Sequence, residues 1–158
     1  VSTAGIANKI PEAANEIGTY LALSLHAPTD DIREMIMPIN KKFKIKELIK
    51  QCKYYSSVVK EKITLEYVML RDINDSVECA KQLVKLMGQF PCKVNLIEFN
   101  PWPGVQYLPT EREDMEKFGK FIQDAGYVAT IRRSRGQDIF GACGQLKTES
   151  EKKKSFKC

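Results

Sequence analysis

Short runs rich in β-branched and aromatic residues alternate with amphipathic stretches along almost the whole chain, which restricts it to βα units built around a largely parallel sheet. The runs predict strands at Val1 to Thr3, Tyr20 to Leu25, Ile63 to Met69, Lys93 to Phe99 and Val128 to Arg132. Between them, Ile45, Leu48, Ile49, Cys52, Tyr55 and Val59 recur at helical spacing, so the segment Lys44 to Val59 reads as a helix laid against the sheet. A second helix opens at Asp75 or Ser76, either of which can cap it, and carries Val77, Ala80, Leu83, Val84 and Met87 on one face. Thr110 with Glu113 fits a capping box for a third, bearing Met115, Phe118 and Ile122 and closing near Gly126. Shorter helices are expected at Ala7 to Glu16 and at Asp30 to Met37, the latter stopped by Pro38.

At 158 residues, with 43% hydrophobic and 28% charged side chains, the chain is sized for one domain with a real core and is neither a disordered tail nor a collagen-like repeat. Its apolar runs fall far short of the roughly 20 residues that cross a bilayer, so no membrane partner is expected. The opening VSTAG lacks both a start methionine and the features of a secretory signal, and reads as the interior of a longer chain. A charge of +5 favours an anionic partner only weakly. Five cysteines, Cys52, Cys79, Cys92, Cys143 and Cys158, stand 27, 13, 51 and 15 residues apart, so no CxxC or CxxxCxxC grouping is present for a metal or cluster. An odd cysteine count without a signal peptide suggests a reducing cytoplasm. KTESEKKKSFKC, residues 147–158, is nearly free of apolar side chains and reads as a solvated tail.

Five parallel strands with outer helices are the parts of an open βα barrel, in which chemistry collects where the carboxyl ends of the strands meet. Here those ends carry Ser2-Thr3, Ser24-Leu25-His26, Met69-Leu70-Arg71-Asp72, Asn100-Pro101 and Arg132 to Gly136. Any one of these could be only a cap or turn residue, and a lone histidine such as His26 is more often hydrogen-bonded structure than a base. Asn100-Pro101-Trp102-Pro103-Gly104 is a stiff, kinked loop in which Trp102 could serve as an apolar plug. Arg132, Arg133 and Arg135 suit phosphate oxygens or base stacking, although such charge runs are commonly solvated surface. Gly141-Ala142-Cys143-Gly144 places a thiol among small residues, open to a reactant or simply fitted into a tight turn.

The blocks VSTAG, ALSLHAPTDDIREMIMPINKKF, ITLEYVMLRDIND, PCKVNLIEFNPWPGVQY and RRSRGQDIFGACGQL, in this order, closely resemble the RlmN family, dual-specificity 23S rRNA and tRNA adenine C2-methyltransferases of the radical S-adenosylmethionine superfamily. The resemblance runs from Val1 to about Leu146 and implies an α/β fold: the second half of a partial (β/α)6 barrel, plus a C-terminal strand and the charged tail. It implies S-adenosylmethionine contacts at Ser2, Ser24, Leu25, His26 and Asn100, and an S-methylcysteine intermediate at Cys143. A 4Fe-4S cluster, its CxxxCxxC loop, a Gly-Glu-Pro strand end and a second cysteine that forms a disulfide with Cys143 would precede Val1, so residues 1–158 alone are expected to be inactive. Arg132, Arg133 and Arg135 would attract RNA, and a monomer served by a reducing electron-transfer protein is implied. Alternative expectations are a sister enzyme acting at carbon 8 of the adenine and a non-catalytic RNA-binding α/β module.

Overall fold

The computed structural model describes residues 2–16, 18 and 20–133. Its five strands are β1 (Ser2–Thr3), β2 (Ala22–Ser24), β3 (Ile63–Met69), β4 (Cys92–Glu98) and β5 (Ala129–Arg132), all parallel and neighbouring one another in chain order. That sequential order is how a βα barrel winds, whereas a doubly wound sheet reverses direction part-way. The helices are α1 (Ile10–Glu16, entered through a 3-10 turn at Ala7–Lys9), α2 (Asp30–Ile36), α3 (Ile45–Val59), α4 (Val77–Met87) and α5 (Arg112–Asp124). A second 3-10 turn, Pro38–Lys41, joins α2 to α3.

Strand β3 explains the layering. Its sequence ITLEYVM alternates, with Ile63, Leu65, Tyr67 and Met69 wholly buried and Thr64, Glu66 and Val68 half-buried. The buried set joins Leu23, Val94 and Leu96 from the flanking strands and packs under Ile10, Leu48, Cys52, Leu83, Phe118 and Ile122 from the helices. Tyr67 and Phe118 meet ring to ring at 5.5 Å. One face of the sheet is thus a sealed apolar layer. The register places Ser2, Ala22, Ser24, Thr64, Glu66, Val68, Lys93, Asn95, Ile97, Thr130 and Arg132 on the opposite face, where none is fully buried.

The helix signals act largely as the sequence predicts. The Ser76 hydroxyl accepts from the Cys79 N–H at 3.1 Å and caps α4, while Thr29 accepts from the Ile32 N–H and caps α2. α5 ends at Asp124, and Gly126 takes the left-handed conformation (φ 93°) just past it. The expected Thr110–Glu113 capping box does not form: Glu111 occupies the cap position without a side-chain bond, and the Thr110 hydroxyl donates to Asp75 Oδ2 at 2.8 Å. The helix starts one residue later than the box requires, and the hydroxyl is oriented by a tertiary carboxylate instead. The β2 strand is also shorter than predicted: Tyr20 and Leu21 precede its ladder, and beyond Ser24 the N–H groups of Leu25 and His26 share a single carbonyl, that of Glu66.

Leu65→Ala, which would empty the centre of β3, should lower the unfolding free energy by about 2–5 kcal/mol. Val58→Ala on the exposed side of α3 should change it by less than about 0.5 kcal/mol. Urea unfolding of both variants measures the contrast.

Candidate active site

Because all five strands run in parallel, their carboxyl ends lie along one edge, and the polar face rises beneath that edge. The Ser24 hydroxyl donates to Glu66 Oε2 at 3.5 Å, and the register continues this row through Asn95 to Thr130. Below it Thr64 stands opposite Lys93; above it Val68, Ile97 and Arg132 align. Glu66, Lys93 and Asn95 are not among the residues that the strand ends single out. Their signal is the alternation of polar with apolar residues in the first half of each strand, Thr64 and Glu66 in β3 and Lys93 and Asn95 in β4, a pattern that marks a wet face in a sheet that would ordinarily be dry on both sides.

The Ser24-Leu25-His26 segment is held from several directions. The N–H groups of Leu25 and His26 both donate to the Glu66 carbonyl, at 3.0 and 3.2 Å. Leu25 is completely buried, and its carbonyl already accepts from Arg33 Nε, so its side chain faces the core rather than the mouth. His26 sits in the left-handed region with φ 58°, a conformation that costs about 1 kcal/mol or more in a non-glycine residue unless its surroundings impose it. Asn74 supplies that constraint. Wholly buried, it donates from Nδ2 to the carbonyls of His26 and Val68 at 2.8 and 2.7 Å, and its Oδ1 accepts from the Leu70 N–H at 2.7 Å. The Tyr67 hydroxyl donates to the Asn74 carbonyl at 2.6 Å and anchors it in turn.

The His26 ring has a defined protonation. Nδ1 accepts a hydrogen bond from the Val68 N–H at 3.0 Å, so the neutral ring carries its proton on Nε2 and can donate there. Burial, helped by the positive charge of Arg33, lowers its pKa to about 4. His26 is therefore a hydrogen-bond donor at neutral pH and not a general base. This unites the two sequence readings of the residue, for the hydrogen bond that makes it structural also fixes what it offers.

The turn after β3 is braced from within and from the loop before α5. The Asp72 N–H donates to Asp75 Oδ1 at 3.0 Å, Arg71 Nε donates to the Pro109 carbonyl at 3.1 Å, and the Arg71 guanidinium pairs with Glu111. After β4, Asn100 is half-buried, whereas Trp102 is exposed and meets Phe99 edge to face at 5.7 Å. Trp102 is not the buried plug that the loop sequence allows. Ser2, Arg132 and Arg133 are exposed at the ends of the outermost strands. Val1, Arg135, Cys143 with its Gly141–Gly144 surroundings, and the tail at 147–158 lie outside the described residues.

No group of three or more metal-ligating side chains occurs among the described residues. Cys52, Cys79 and Cys92 are free and buried, and burial pushes the thiols of Cys52 and Cys92 up to about 12, which leaves them unsuited to thiolate ligation of a cluster. The half-buried Ser24, Glu66 and Asn95 and the Nε2–H of His26 offer both donors and acceptors on one side of the sheet.

Over 153 residues, or 96% of this chain, the sequence is 53% identical to the dual-specificity RNA methyltransferase RlmN of Rhizobium meliloti (strain 1021) and 54% identical to that of Agrobacterium fabrum (strain C58). The chain belongs to the RlmN family. It spans 37% of the length of these curated relatives. Among solved structures, a radical SAM methyltransferase from Sphaerobacter thermophilus superposes with a TM-score of 0.89 at 40% identity, covering 92% of this chain and 43% of that one. A domain of pyruvate-formate lyase-activating enzyme from Bacteroides vulgatus superposes at 0.67 with 13% identity, a likeness of fold alone, over 84% of this chain and 79% of that domain. No family model matches the chain. The parallel order of the strands and both superpositions agree with the partial barrel expected from the sequence.

As the only histidine of this RlmN-family chain, His26 can be followed without ambiguity by ring 15N NMR. It should show the Nε2–H tautomer and titrate near 4 rather than 6.5. Because the folded state lowers the pKa, the stability gained from the neutral ring is complete above pH 6.5 and is lost as the pH falls from there through about 4. A midpoint near 6.5 would refute the assignment.

Proposed function

We propose that this chain is the part of a radical S-adenosylmethionine enzyme that binds the adenosyl cofactor and carries the methyl group to carbon 2 of adenine in 23S rRNA and tRNA. The observation that carries this reading is the row of polar groups, Ser24, Glu66, Asn95 and the Nε2–H of His26, on the sheet face that leads up to the carboxyl ends of the parallel strands, in a chain about half identical to RNA methyltransferases over nearly its whole length. Ser2, Ser24, His26 and Asn100 are assigned to S-adenosylmethionine through their side chains, and Leu25 through its place in the backbone between two of them.

Carbon 2 of adenine lies between two ring nitrogens and is too electron-poor to attack a methyl sulfonium, so ordinary polar transfer is closed to it. A 4Fe-4S cluster held by residues outside this sequence, supplied by a reducing electron-transfer protein, would give the one-electron chemistry that such a carbon needs. Cys143 is assigned the role of carrier. As a thiolate it takes a methyl group from S-adenosylmethionine, forming a carbon–sulfur bond and releasing S-adenosylhomocysteine. Once the carbon is bonded to adenine, the thiolate of a second cysteine outside this sequence bonds to the Cys143 sulfur as the bond from that sulfur to the carbon breaks. The electron pair of the broken bond stays with the carbon, which takes up a proton to become the methyl group, and the two cysteines are left as a disulfide. Arg132, Arg133 and Arg135 are assigned to RNA phosphates, and the adenine must leave its stack to reach the mouth. A monomeric enzyme in the reducing cytoplasm fits this chemistry, and no described helix is long and apolar enough to cross a membrane.

The test uses the iron–sulfur-loaded enzyme that carries this chain, incubated with ribosomal RNA and with tRNA, followed by nucleoside mass spectrometry. Wild-type enzyme should yield 2-methyladenosine. Cys143→Ala should yield none while retaining part of its reductive cleavage of S-adenosylmethionine. Formation of 8-methyladenosine would move the chain to the sister reaction, and RNA binding without methylation would leave only a binding module.

A further inference from the structure

Arg33 lies in α2 and has no exposed surface, although an arginine in a short helix at the rim of a sheet would ordinarily face solvent. Its guanidinium turns inward across the ends of two strands. Nε donates to the Leu25 carbonyl at 3.0 Å, Nη2 donates to the carbonyls of Ser24 at 3.0 Å and Ala4 at 2.9 Å, and Nη1 donates to Asn40 Oδ1 at 3.0 Å. No carboxylate pairs with it directly among the described residues. Asn40, itself wholly buried, passes the contact on, donating from Nδ2 to Asp30 Oδ1 at 2.9 Å, and the same carboxylate oxygen accepts the first N–H of α3, from Ile45, at 2.9 Å. A buried cation is thus solvated mainly by main-chain carbonyl dipoles, an expensive arrangement that requires each partner to stay in place.

The position of Nη2 gives the arrangement its meaning. β1 is two residues long, and its ladder to β2 ends with the pair Thr3 and Leu23. The next pair in that register would be Ala4 and Ser24, and it is their two carbonyls that Nη2 bridges. Arg33 therefore continues the union of β1 and β2 past the point where backbone bonding stops. Gly5 keeps the space open: a Cβ there would stand 2.7 Å from Nη2, and its φ of +104° disfavours any other residue.

We infer that Arg33 is a positioning residue for S-adenosylmethionine, on the reading above that the β1 and β2 ends hold that molecule: its planar fork fixes the distance between the Ser2 strand and the Ser24-Leu25-His26 segment. Lysine could keep the charge but has no planar fork with which to hold three carbonyls and an amide at once. Loss of the fork lets the two strand ends separate, which weakens cofactor binding more than it slows the chemistry that follows.

The test compares Arg33→Met, Arg33→Lys and Cys52→Ala in the iron–sulfur-loaded enzyme carrying this chain, with rates expressed per folded molecule. Arg33→Met should raise the KM for S-adenosylmethionine by about tenfold or more and lower kcat at saturation by less than about threefold, with Arg33→Lys between it and wild type. Cys52 is buried in α3 beside Cys92 at the far edge of the sheet, so Cys52→Ala should lower Tm and leave KM unchanged, separating positioning from lost stability. A folded Arg33→Met enzyme with wild-type KM overturns the inference. Where that variant does not fold, an unchanged KM in Arg33→Lys overturns it equally. A wild-type enzyme that neither binds nor consumes S-adenosylmethionine overturns the functional reading itself, and the inference with it.

Discussion

Five strands laid side by side in chain order leave a parallel sheet with two unlike faces, and most other features of the molecule follow from that difference. Helices α1, α3, α4 and α5 supply apolar stripes to one face, where Leu23, Leu65, Tyr67, Val94 and Leu96 are sealed from water. The other face keeps Ser24, Glu66, Lys93 and Asn95. A fully buried parallel sheet would not tolerate such groups without partners, and all four keep part of their surface exposed among the described residues. Parallel strands also gather all their carboxyl ends at one edge. The polar face and the functional loops therefore meet at the same place.

At that edge the regular ladder gives way to side-chain bonds. Asn74 from the turn after β3 and Arg33 from α2 both reach main-chain groups of the Ser24–His26 segment, one from each side. Their four contacts to the Ser24, Leu25, His26 and Ala4 carbonyls occupy groups that a loop would otherwise leave to water. The left-handed backbone of His26 persists because these bonds over-determine it. In the same way, its ring is limited to one tautomer by a backbone N–H of the neighbouring strand. A group that must meet a ligand at fixed distance gains from such rigidity, since no ordering cost remains at the moment of binding.

Legibility in the sequence varied by residue and for physical reasons. Ile63–Met69 and the α3 stripe were plain because period-two and period-3.6 burial are local consequences of strand and helix geometry. Ser24, His26 and Asn100 were found as polar residues at strand ends, and a resemblance gave them roles. Glu66 and Asn95 could have been found by reading strand alternation for its polar members as well as its apolar ones. Arg33, Asn40 and Asn74 could not, because a polar side chain in a short helix or a turn has the same local pattern whether it faces water or the core. Thr110 shows the converse, a local capping signal that goes unused: the cap falls on Glu111, while the Thr110 hydroxyl donates to Asp75, 35 residues away.

By itself the sequence determined the βα alternation, which face of each element is apolar and the family to which the chain belongs, since these depend on residue type and spacing along a single segment. Tertiary structure alone decided that Arg33 spans two strand ends, that Asn74 holds His26 in a left-handed conformation, and that the His26 proton sits on Nε2. Each of these depends on which groups from distant segments come within about 3 Å of one another, and hydrogen bonding at that range is set by the packing of the whole sheet rather than by any stretch of chain.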